Sequence, residues 1–591
     1  MPSLPLRFVQ PVRPLADPYA GDVALRATLD RLLGEVGHKD AAPLLEALAA
    51  DCAGPLRRAA LDAERHPPVL RTHDGWGRRV DEVETSTGWE AERAAAARHG
   101  LVALPYEAEA RATWGAGARV VQHALLHLFS PDSAIFSCPV AMSDGAVTVL
   151  QGADVDPALA ERTLPRLLSR DPGTAWTSGQ WMTETEGGSD VGRATTAARE
   201  DAGRWVLTGD KWFCSATTAE VAIALARPEG AGDGSAGLAC FVVPRYAADA
   251  GEREAPLGTS GLRRTASGLS LHRLKDKLGT HALPSAEVRL DDALAWPVGD
   301  PHAPGGLRRM MDLVTITRLH NAANASALLT RAVAMARGYA ETREAFGARL
   351  WRQPLHRETL AWLAVDAQAS YALTALCFAA LGEVELGTDQ AAESAALLRL
   401  STSLAKAMTA KLAVAGTSEA LECFGGPGYV EDTGMPVLLR DAQVLPVWEG
   451  TTNIQSLDLL RALADPRVDA LGAYLRRVDT ALAATAAAGE WLAPLAAELQ
   501  PVRDRLAADA RAAAASPTTD AIQARARGLL ERLAALLAAA ALLEQAVFEA
   551  ARGDLRAGVV ARLWVRRRVL GLDIDGEGHR AFAHVVDGAP L

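Results

Sequence analysis

Val447-Trp448-Glu449-Gly450-Thr451-Thr452-Asn453-Ile454-Gln455 lies near the three-quarter point of the 591-residue chain. The stretch places one acidic side chain, Glu449, between a bulky aromatic residue and a glycine, in mostly apolar surroundings. A carboxylate in such surroundings is a weaker acid and a stronger base, which suits proton abstraction. The same residues also fit the start of a helix, with Glu449 in the first turn. This stretch alone favours the helix start, because carboxylates with a perturbed pKa are the minority.

Composition limits the classes to which the chain can belong. With 591 residues and 49% hydrophobic content it is long enough for three or four globular domains. A net charge of −11 argues against extensive coating of nucleic acid or anionic membrane, although residues 461–591 are nearly neutral, with 17 Arg against 16 Asp or Glu. The six cysteines form no CxxC pair, and the longest strongly apolar run, residues 533–543, is too short to span a bilayer. We therefore expect a soluble, cytoplasmic protein without a membrane partner.

Changes in pattern along the chain predict four domains. Residues 1–180 begin with a proline-rich arm and continue, from about Val23, with helical spacing. Residues 181–300 hold short apolar or alternating segments separated by Gly, Asp and Pro, which is typical of an antiparallel sheet or barrel. Residues 301–463 return to helical spacing, and residues 464–591 form a further, Ala-rich helical segment without lysine. The expected fold is mainly α-helical with a central β domain.

Within residues 1–180 we expect helices, with breaks at Pro67-Pro68 and Asp74-Gly75. His123 and His127 lie one helical turn apart in this region. Such a pair can bind zinc, but the metalloprotease motif needs Glu directly after the first histidine, and that residue is Ala124. We therefore expect packed or surface histidines and no metal site.

Four dispersed motifs resemble those of the acyl-CoA dehydrogenase flavoproteins. They are Trp181-Met182-Thr183-Glu184-Thr185-Glu186-Gly187-Gly188-Ser189-Asp190-Val191, similar to TEpxxGSD; Leu207-Thr208-Gly209-Asp210-Lys211-Trp212-Phe213-Cys214-Ser215, similar to GxKxWITN; Thr342-Arg343-Glu344-Ala345-Phe346-Gly347 with Gln353-Pro354-Leu355, similar to RxxFGxxxxxxQ; and Gly425-Gly426 through Arg440-Asp441 to Glu449-Gly450-Thr451. Each motif alone is weak evidence, but all four in the right order are hard to explain by chance. The resemblance covers roughly residues 20–462.

Within that family the chain is more similar to the alkylation-response, AidB-type branch. The residues that carry this likeness are Phe8-Val9-Gln10-Pro11, Cys138-Pro139-Val140-Ala141-Met142, Arg273-Leu274-Lys275-Asp276-Lys277-Leu278-Gly279, Trp448-Glu449-Gly450 and the extension 465–591. The resemblance implies an N-terminal helical domain, a middle antiparallel β-barrel, a C-terminal four-helix bundle and an additional C-terminal helical domain.

The resemblance also implies an FAD-dependent acyl-CoA dehydrogenase that acts on a short or branched acyl-CoA thioester. Oxidation between Cα and Cβ needs a base for the proton and an acceptor for the hydride, and no side chain can take a hydride. Glu449 is the implied base, with its pKa raised in a water-poor pocket and its backbone N–H polarising the thioester carbonyl. Arg318 matches a family arginine near that glutamate, with an orienting or charge-balancing role. The electron acceptor is not named by the sequence.

The other implied site residues contact FAD. Thr183 and Ser215 match positions whose hydroxyl and N–H groups bond the flavin ring and stabilise its reduced, anionic form. Phe213 stands where the family often has a stacking tryptophan. The full set of implied cofactor contacts is Met182, Thr183, Gly188, Ser189, Phe213, Ser215, Arg343, Phe346, Gln353, Gly425, Gly426, Trp448, Thr451 and Asn453.

Alternatives exist for single motifs. Without its companions, the loop around Gly188 and Ser189 would be an ordinary Asp/Gly turn, and Arg343 would make a surface contact along a helix. By resemblance, Arg343, Phe346 and Gln353 instead reach the FAD of a neighbouring subunit, with the arginine pairing the pyrophosphate. That arrangement requires a homo-oligomer, and the family habit of pairing dimers predicts a tetramer.

A second function is suggested by a run of C-terminal arginines. They are Arg552, Arg556, Arg562, Arg566, Arg567 and Arg568, with spacings that place several on one helix face. Such a face could neutralise phosphates of double-stranded DNA without reading sequence. A solvated face or a set of salt bridges explains the same pattern. The alternative function is therefore a flavoprotein that mainly binds DNA in the alkylation stress response, with little dehydrogenase turnover. A third alternative, a purely structural helical scaffold, would require that the four motifs no longer bind flavin.

Overall fold

The computed structural model describes residues 10, 15, 17–152, 154–246, 265–266, 268–303 and 305–590. The chain divides into two compact units. The first, here called the sheet unit, comprises residues 54–113 and 132–321, and the second, the helical unit, comprises the remaining residues. Most of the predicted N-terminal arm and of the Phe8–Pro11 match lies outside the described residues.

Helices account for most of the described chain. In chain order they are α1 Val23–Ala53, α2 Pro55–Arg65, α3 Thr87–Arg98, α4 Ala108–Trp114, α5 Ala118–Phe129, α6 Ser137–Leu150, α7 Pro157–Leu167, α8 Gly306–Thr342, α9 Pro354–Leu386, α10 Ala391–Glu422, α11 Met435–Ala442, α12 Thr452–Ala464, α13 Ala470–Ala487, α14 Ala493–Ala515, α15 Asp520–Ala550, α16 Arg556–Trp564 and α17 Glu577–Val585. The strands are β1 Val69–His73, β2 Arg79–Glu84, β3 Ser178–Trp181, β4 Ala197–Asp201, β5 Arg204–Ser215, β6 Val221–Pro228, β7 Ala239–Pro244, β8 Leu269–Leu274, β9 Ser285–Pro297, β10 Glu344–Ala345 and β11 Ala348–Arg349.

The sheet unit is built around a small barrel, which confirms the expected central β domain. Strands β4, β5, β9, β7 and β6 pair in that order, and β6 also pairs with β4, which closes the ring. Strand β3 joins β6, and β8 joins β9. The pairings are antiparallel except for those of β6 with β3 and β4, which are parallel.

Alternation along the strands gives this sheet two buried faces. On β6, Val221, Ile223 and Leu225 pack in a cluster with residues of α6, α7 and the start of α8. The intervening Ala222 and Ala224 join a second cluster with residues of β5, β7, β8 and β9. Because successive strand residues point to opposite faces, the larger residues of β6 meet the helices, and its alanines face the barrel interior beside larger residues such as Phe241 and Leu271.

A β-hairpin in the sheet unit was not expected. Helices were predicted with breaks at Pro67-Pro68 and Asp74-Gly75, but β1 and β2 pair antiparallel across this region. The turn is held by Asp74, whose side chain accepts hydrogen bonds from the backbone N–H groups of Trp76 and Arg78. The alternating residues on either side of this turn were the overlooked signal.

The helical unit is a bundle in which helix α9 is buried over most of its length. From Leu360 to Gly382, nearly every residue of α9 is buried, as expected for a helix in the middle of a core. Gly382 lies within α9 because a Cβ there would collide with the backbone of Ala116. The helix ends at Gly387, which adopts the left-handed conformation.

Two helices contradict the expectation that no segment is long enough to cross a bilayer. By length and composition alone, α9 and α15 would pass. In α9, 89% of the most apolar window is buried within the protein, and in α15 the share is 78%. Burial of this kind is typical of core helices, which satisfy the same test.

The C-terminal residues form helices α13 to α17, which confirms an additional helical segment after α12. Helix α15 packs against α9, α10, α12 and α13. These helices belong to the same compact unit as α9 and α10. The four-domain division, with its boundary near residue 464, therefore stays a prediction.

Candidate functional site

Two of the sequence motifs meet in the sheet unit where β3 and β5 end. Strand β3 ends at Trp181 and β5 at Ser215. The backbone N–H of Trp212 donates to the carbonyl oxygen of Thr183 over 2.8 Å. This bond holds the residues after β3 against the end of β5. Thr183 therefore lies beside the segment that carries Phe213 and Ser215.

A buried ion pair joins the same two segments and was missed in the sequence. Lys211 Nζ lies 2.6 Å from Glu184 Oε1 and 2.7 Å from the carbonyl oxygen of Leu225. Thr195 and Thr196 also donate to the Glu184 carboxylate. Burial alone would raise the pKa of Glu184, but the charge and hydrogen bond of Lys211, with the two threonines, lower it to about 2. The two motifs hold four acids, Glu184, Glu186, Asp190 and Asp210, and a single base, Lys211, so the sequence did not indicate which acid pairs with the lysine.

The side chains at the end of β5 fit FAD. A register shift between Lys211 and Cys214 in the β5–β9 ladder accompanies two consecutive outward-facing aromatics, Trp212 and Phe213, which are 38% and 45% exposed. Ser215 follows and is half-buried. A flavin ring has planar apolar faces and a polar edge. This segment offers exposed aromatic rings next to a hydroxyl, so the residues present match the group that the motifs imply.

The remaining predicted contacts of the first motif lie in a tight loop. Met182 is half-buried, whereas Gly188 and Ser189 are exposed. Gly187 is required by the turn itself, because a Cβ there would approach the carbonyl oxygen of Asp190 to 2.6 Å. The loop is therefore a close backbone turn that presents Gly188 and Ser189 at the surface of the sheet unit.

Arg318, predicted to act near the catalytic glutamate, lies on the part of α8 that belongs to the sheet unit and is 7% exposed. Two residues later, His320 Nε2 lies 2.7 Å from Asp144 Oδ2, and the Tyr106 hydroxyl donates to Asp144 Oδ1 over 2.6 Å. This network ties α8 to α6. Its three members come from distant segments, and the sequence carried no signal for it.

Glu449 lies in the helical unit with its backbone in the left-handed conformation, at a φ of 58°. Such a conformation is uncommon outside glycine and is typical of functional sites when the surroundings enforce it. The helix start that the sequence also suggested for Glu449 is occupied by a different residue. Thr451 caps α12, and its side chain accepts from the backbone N–H of Ile454 over 3.4 Å. Glu449 precedes the helix and is not its cap.

Two buried side chains hold this left-handed turn in place. Lys406 Nζ donates to the carbonyl oxygen of Gly450 over 2.6 Å. Gln455 Nε2 donates to the carbonyl oxygens of Glu449 and Gly450 over 2.8 and 3.1 Å. Lys406 and Gln455 are both fully buried. The sequence did not indicate Lys406, because it lies 44 residues away on α10.

The predicted contacts to a neighbouring FAD form a projecting hairpin of β10 and β11. Phe346 is at its tip, fully exposed and with a φ of 53°, and Gly347 follows with a φ of 77°. Arg343 is exposed, and its carbonyl oxygen accepts from the backbone N–H of Leu350 over 2.9 Å. Gln353 Nε2 donates to a carbonyl oxygen in β10 over 3.0 Å. The hairpin therefore presents an aromatic ring and a guanidinium away from its own unit.

The last predicted cofactor contacts flank Glu449 in the sequence. Gly425 has a φ of 62° and opens the short 3₁₀ turn that begins at Gly426. Trp448 is half-buried and Asn453 is exposed in the first turn of α12. The structure places Trp448 in the turn that carries Glu449, with Thr451 and Asn453 at the start of the helix that follows it.

The six arginines of the predicted face do not all lie on one α-helix. Arg552 precedes α16, and residues 566–568 lie in a π-helical turn, Val565–Val569, that follows it. Arg556 is 2% exposed, because its guanidinium pairs with Glu549 over 2.6 Å. Helix α16 runs directly into this π-helical turn, whereas Arg552 lies in a turn before it.

Ion pairs take up two of the remaining arginines, as the salt-bridge alternative predicted. Arg566 lies 2.9 Å from Glu577, and Arg568 pairs with Asp366. Arg567 is exposed, with its guanidinium over the ring of Trp362. Arg552 and Arg562 are exposed.

His123 and His127 are packed histidines on α5. His123 Nε2 lies 2.9 Å from the Thr374 hydroxyl, and His127 Nε2 lies 3.7 Å from the Asp22 carboxylate. Both rings pack on Tyr371. Aromatic packing and these polar contacts account for their burial.

Three family matches cover most of the first 464 residues. Residues 11–172 match the N-terminal domain of the adaptive response protein AidB. Residues 179–293 match the acyl-CoA dehydrogenase middle domain, and residues 305–464 match the acyl-CoA dehydrogenase C-terminal domain.

Individual proteins give the same result. Acyl-CoA dehydrogenase family member 11 of Caenorhabditis elegans is 39% identical over 81% of this chain and 75% of its own. AidB of Escherichia coli (strain K12) is 33% identical over 68% of this chain and 70% of its own. The structure of C. elegans ACDH-11 in complex with C11-CoA is similar with a TM-score of 0.84 and 34% identity, over 99% of this chain and 93% of that one. That likeness extends over the additional C-terminal helices.

Proposed function

Since the chain belongs to the acyl-CoA dehydrogenase family, as an FAD enzyme with an AidB-type N-terminal domain, we propose that it oxidises an acyl-CoA thioester with Glu449 as the base. The observation that carries the proposal is the left-handed turn at Glu449, which Lys406 and Gln455 hold through the carbonyl oxygens of Glu449 and Gly450. Backbone strain that buried groups enforce at one carboxylate is typical of a functional position.

In this mechanism the Glu449 carboxylate takes the α-proton, and its backbone N–H donates to the thioester carbonyl, where negative charge develops. FAD, when bound, supplies the acceptor for the β-hydride. Thr183 and Ser215 would hold the flavin ring by hydrogen bonds, and Phe213 would pack on it. Arg318 orients or balances the charge of the substrate site.

The acyl chain is the least determined part of the substrate. The motifs alone favoured a short or branched chain, whereas the C. elegans relative was solved in complex with C11-CoA. We propose an acyl-CoA thioester as the substrate class, with chain length to be ranked on a panel from C4 to C12.

We also propose a homotetramer that shares its FAD sites. Support comes from the hairpin, where Phe346 is fully exposed and Arg343 projects beside it. This pairing of a fully exposed aromatic ring with an exposed guanidinium, within the motif whose family counterparts reach a neighbouring FAD, supports a partner subunit that covers it. A cytoplasmic location is supported by six cysteines that form no disulfide within the described residues.

The test is anaerobic mixing of purified holoenzyme with acyl-CoA while the flavin absorbance near 450 nm is followed. Glu449→Gln should slow bleaching at least ~10³-fold, because the base is lost while the FAD contacts stay. Glu431→Gln, an exposed carboxylate paired with Arg440, is the matched control and should bleach at the wild-type rate. Bleaching of Glu449→Gln at the wild-type rate would contradict the proposed role of Glu449 as the base.

The second candidate function is binding of double-stranded DNA in the alkylation stress response. It rests on the exposed Arg552, Arg562 and Arg567 and on the AidB-type N-terminal match. Anisotropy of a labelled mixed-sequence duplex over a salt series tests it. Arg562→Ala with Arg567→Ala should weaken binding and reduce the salt slope by about 2, whereas Arg511→Ala on α14 should not. No measurable binding at low salt excludes this candidate.

A further inference from the structure

A short chain of polar side chains ends at Ser215 in the sheet unit. Lys277 Nζ lies 3.3 Å from Ser285 Oγ, and Ser285 Oγ lies 3.0 Å from Ser215 Oγ. Lys277 also donates to the carbonyl oxygens of Thr280 and Leu283, each over 2.6 Å. The ammonium is therefore held in one place by the loop that it helps to form.

The two serines face each other because of the sheet register. Ser215 at the end of β5 is paired with Ser285 at the start of β9. Side chains of directly paired residues in an antiparallel ladder lie close together. Ser285 is 2% exposed, whereas Ser215 is half-buried. The chain thus runs from an interior hydroxyl to one that a ligand can reach.

The loop that carries Lys277 is anchored independently of these serines. His281 Nε2 lies 3.0 Å from the carbonyl oxygen of Lys277. His281 Nδ1 lies 2.8 Å from a carboxylate oxygen of Glu64 on α2. With both ring nitrogens engaged, the histidine fixes the backbone at Lys277 relative to α2. Loss of one serine hydroxyl should leave this anchor intact.

The chemistry of the three groups sets a direction. An ammonium has only donors, so Ser285 Oγ must accept from Lys277. A serine oxygen has a second lone pair, so this bond alone does not orient the Ser285 proton. Burial favours one arrangement: Ser285 is 2% exposed and Ser215 Oγ lies within hydrogen-bond distance of its hydroxyl, whereas the half-buried Ser215 can donate to a ligand. The arrangement that satisfies the buried hydroxyl has Ser285 donating to Ser215, which turns the Ser215 proton away from Ser285. Hydrogen bonds arranged head to tail polarise one another, and a charged donor at one end strengthens the donor at the other.

We propose that Lys277 is a positioning residue that, through Ser285, turns the Ser215 hydroxyl proton outward to donate to the bound flavin. This inference rests on the proposed function, in which Ser215 contacts FAD. A donor fixed in this direction favours a negatively charged ring over a neutral one. The chain Lys277–Ser285–Ser215 therefore raises the affinity for reduced FAD more than that for oxidised FAD.

The experiment measures the flavin midpoint potential of the full-length holoenzyme by dye-coupled anaerobic titration, with no substrate present. Ser285→Ala should lower the ratio of reduced to oxidised FAD affinity about tenfold, as for one hydrogen bond to a charged group. A tenfold change in a two-electron couple is about 30 mV, so the potential should become more negative by that amount. Lys277→Met should shift it in the same direction.

Two further variants distinguish the orientation of the Ser215 hydroxyl from the direct effect of a nearby positive charge on the flavin potential. Ser285→Thr keeps the hydroxyl and should keep the wild-type potential. Arg273→Gln removes a positive charge that pairs with Glu287 on the same sheet without touching either serine, and it should leave the potential nearly unchanged. A shift in Lys277→Met without one in Ser285→Ala would mean that charge acts directly and would overturn the relay.

The experiment distinguishes failure of the proposed function from failure of the relay alone. A wild-type protein that takes up no FAD contradicts the proposed function and the relay together. A wild-type protein that takes up FAD, with an unchanged potential in Ser285→Ala, contradicts the relay alone. Absorbance spectra and FAD content of each variant, recorded beside the potential, show whether the flavin remains bound.

Discussion

The ammonium of Lys406 lies 2.6 Å from the carbonyl oxygen of Gly450, directly after the glutamate proposed as the base. Lys406 is fully buried on α10 and Gly450 precedes α12, so the bond joins two helices at the turn that carries Glu449. Gln455 adds two more hydrogen bonds to the same turn. Lys406 belongs to none of the four sequence motifs, and Gln455 lies just after the fourth, which ends at Thr451. The conformation of Glu449 thus depends on side chains outside these motifs.

Replacing Lys406 should therefore impair catalysis more than substrate binding. In Lys406→Met the turn loses a charged donor and the carboxylate is no longer held in one orientation. We expect kcat to fall about 10- to 100-fold with KM changed less, since small misplacements of a reacting group have effects of this size. Steady-state kinetics and anaerobic bleaching measure the two parameters. Lys411→Met, an exposed lysine on the same helix, is the control and should match wild type. A KM effect with normal kcat would contradict the positioning role.

Phe346 and Arg343 should act on a neighbouring copy rather than on their own. Phe346→Ser and Arg343→Ala should each lower the FAD content of purified protein, as measured by the 450 nm to 280 nm absorbance ratio. Mixed oligomers in which one chain carries Arg343→Ala and the other carries Ser215→Ala test the sharing directly. They should contain some intact sites and recover part of the activity, because each chain supplies what the other lacks. If the mixed oligomers recover no activity, each FAD is bound within one chain.

Removal of Lys211 should destabilise the sheet unit, since it leaves the Glu184 carboxylate buried without its counter-charge. We expect a loss of about 3–5 kcal/mol in Lys211→Met, partly recovered in Lys211→Met/Glu184→Gln. Thermal denaturation followed by tryptophan fluorescence ranks the variants. Arg289→Gln breaks an exposed pair with Asp210 in the same strands and should have almost no effect. A double variant no more stable than Lys211→Met would contradict this assignment.

The same ion pair predicts a specific acid sensitivity. The pKa of Glu184 is lowered from its usual 4.5 to about 2 in the folded protein. A depressed folded pKa contributes stability above the unfolded pKa and loses it as pH falls. The contribution should therefore disappear between about pH 4.5 and pH 2. In that range the melting temperature of Glu184→Gln should fall less steeply than that of wild type.

Glu92 should have the opposite pH dependence. It is fully buried on α3, and neither carboxylate oxygen has a hydrogen-bond partner among the described residues. Burial, with the nearby charge of Asp132, raises its pKa to about 9. Between pH 4.5 and 9 the unfolded chain is ionised there while the folded chain stays protonated, so wild type loses stability as pH rises. Glu92→Gln should remove this slope between pH 5 and 8 in thermal denaturation, and Glu90→Gln, an exposed neighbour, should not.

Local patterns predicted the architecture because they depend on residues close in the chain. Val23 as the start of α1, the barrel strands near 204–208, 221–225, 238–243 and 286–290, and the extra C-terminal helices follow from spacing of apolar residues and from turn residues. The order of the four motifs predicted the family and the FAD cofactor, which the comparisons confirm. The hairpin at 69–84 was not predicted, because Pro67-Pro68 indicated a break and the alternation of apolar and polar residues after it was not recognised.

Errors arose where a one-dimensional pattern was used for a three-dimensional surface. Helical spacing placed several of six arginines on one charged face. In the structure Arg552 lies in a turn before α16, and carboxylates brought in from α9, α15 and α17 pair with Arg568, Arg556 and Arg566. Spacing predicts direction along one helix only. It carries no information about which acids another element will bring close.

From the sequence alone follow the fold class, the family, the cofactor and the identity of the carboxylate proposed as the base, because each depends on local pattern or on ordered motifs. The tertiary structure alone decided which side chains hold the turn at that carboxylate and which contact the serine proposed to bind the flavin. Lys406 reaches Gly450 across 44 residues, and Ser285 reaches Ser215 across 70. Such pairs form when separate helices and strands pack. The free energy that holds them comes from burial and hydrogen bonding between distant segments, which no local pattern records.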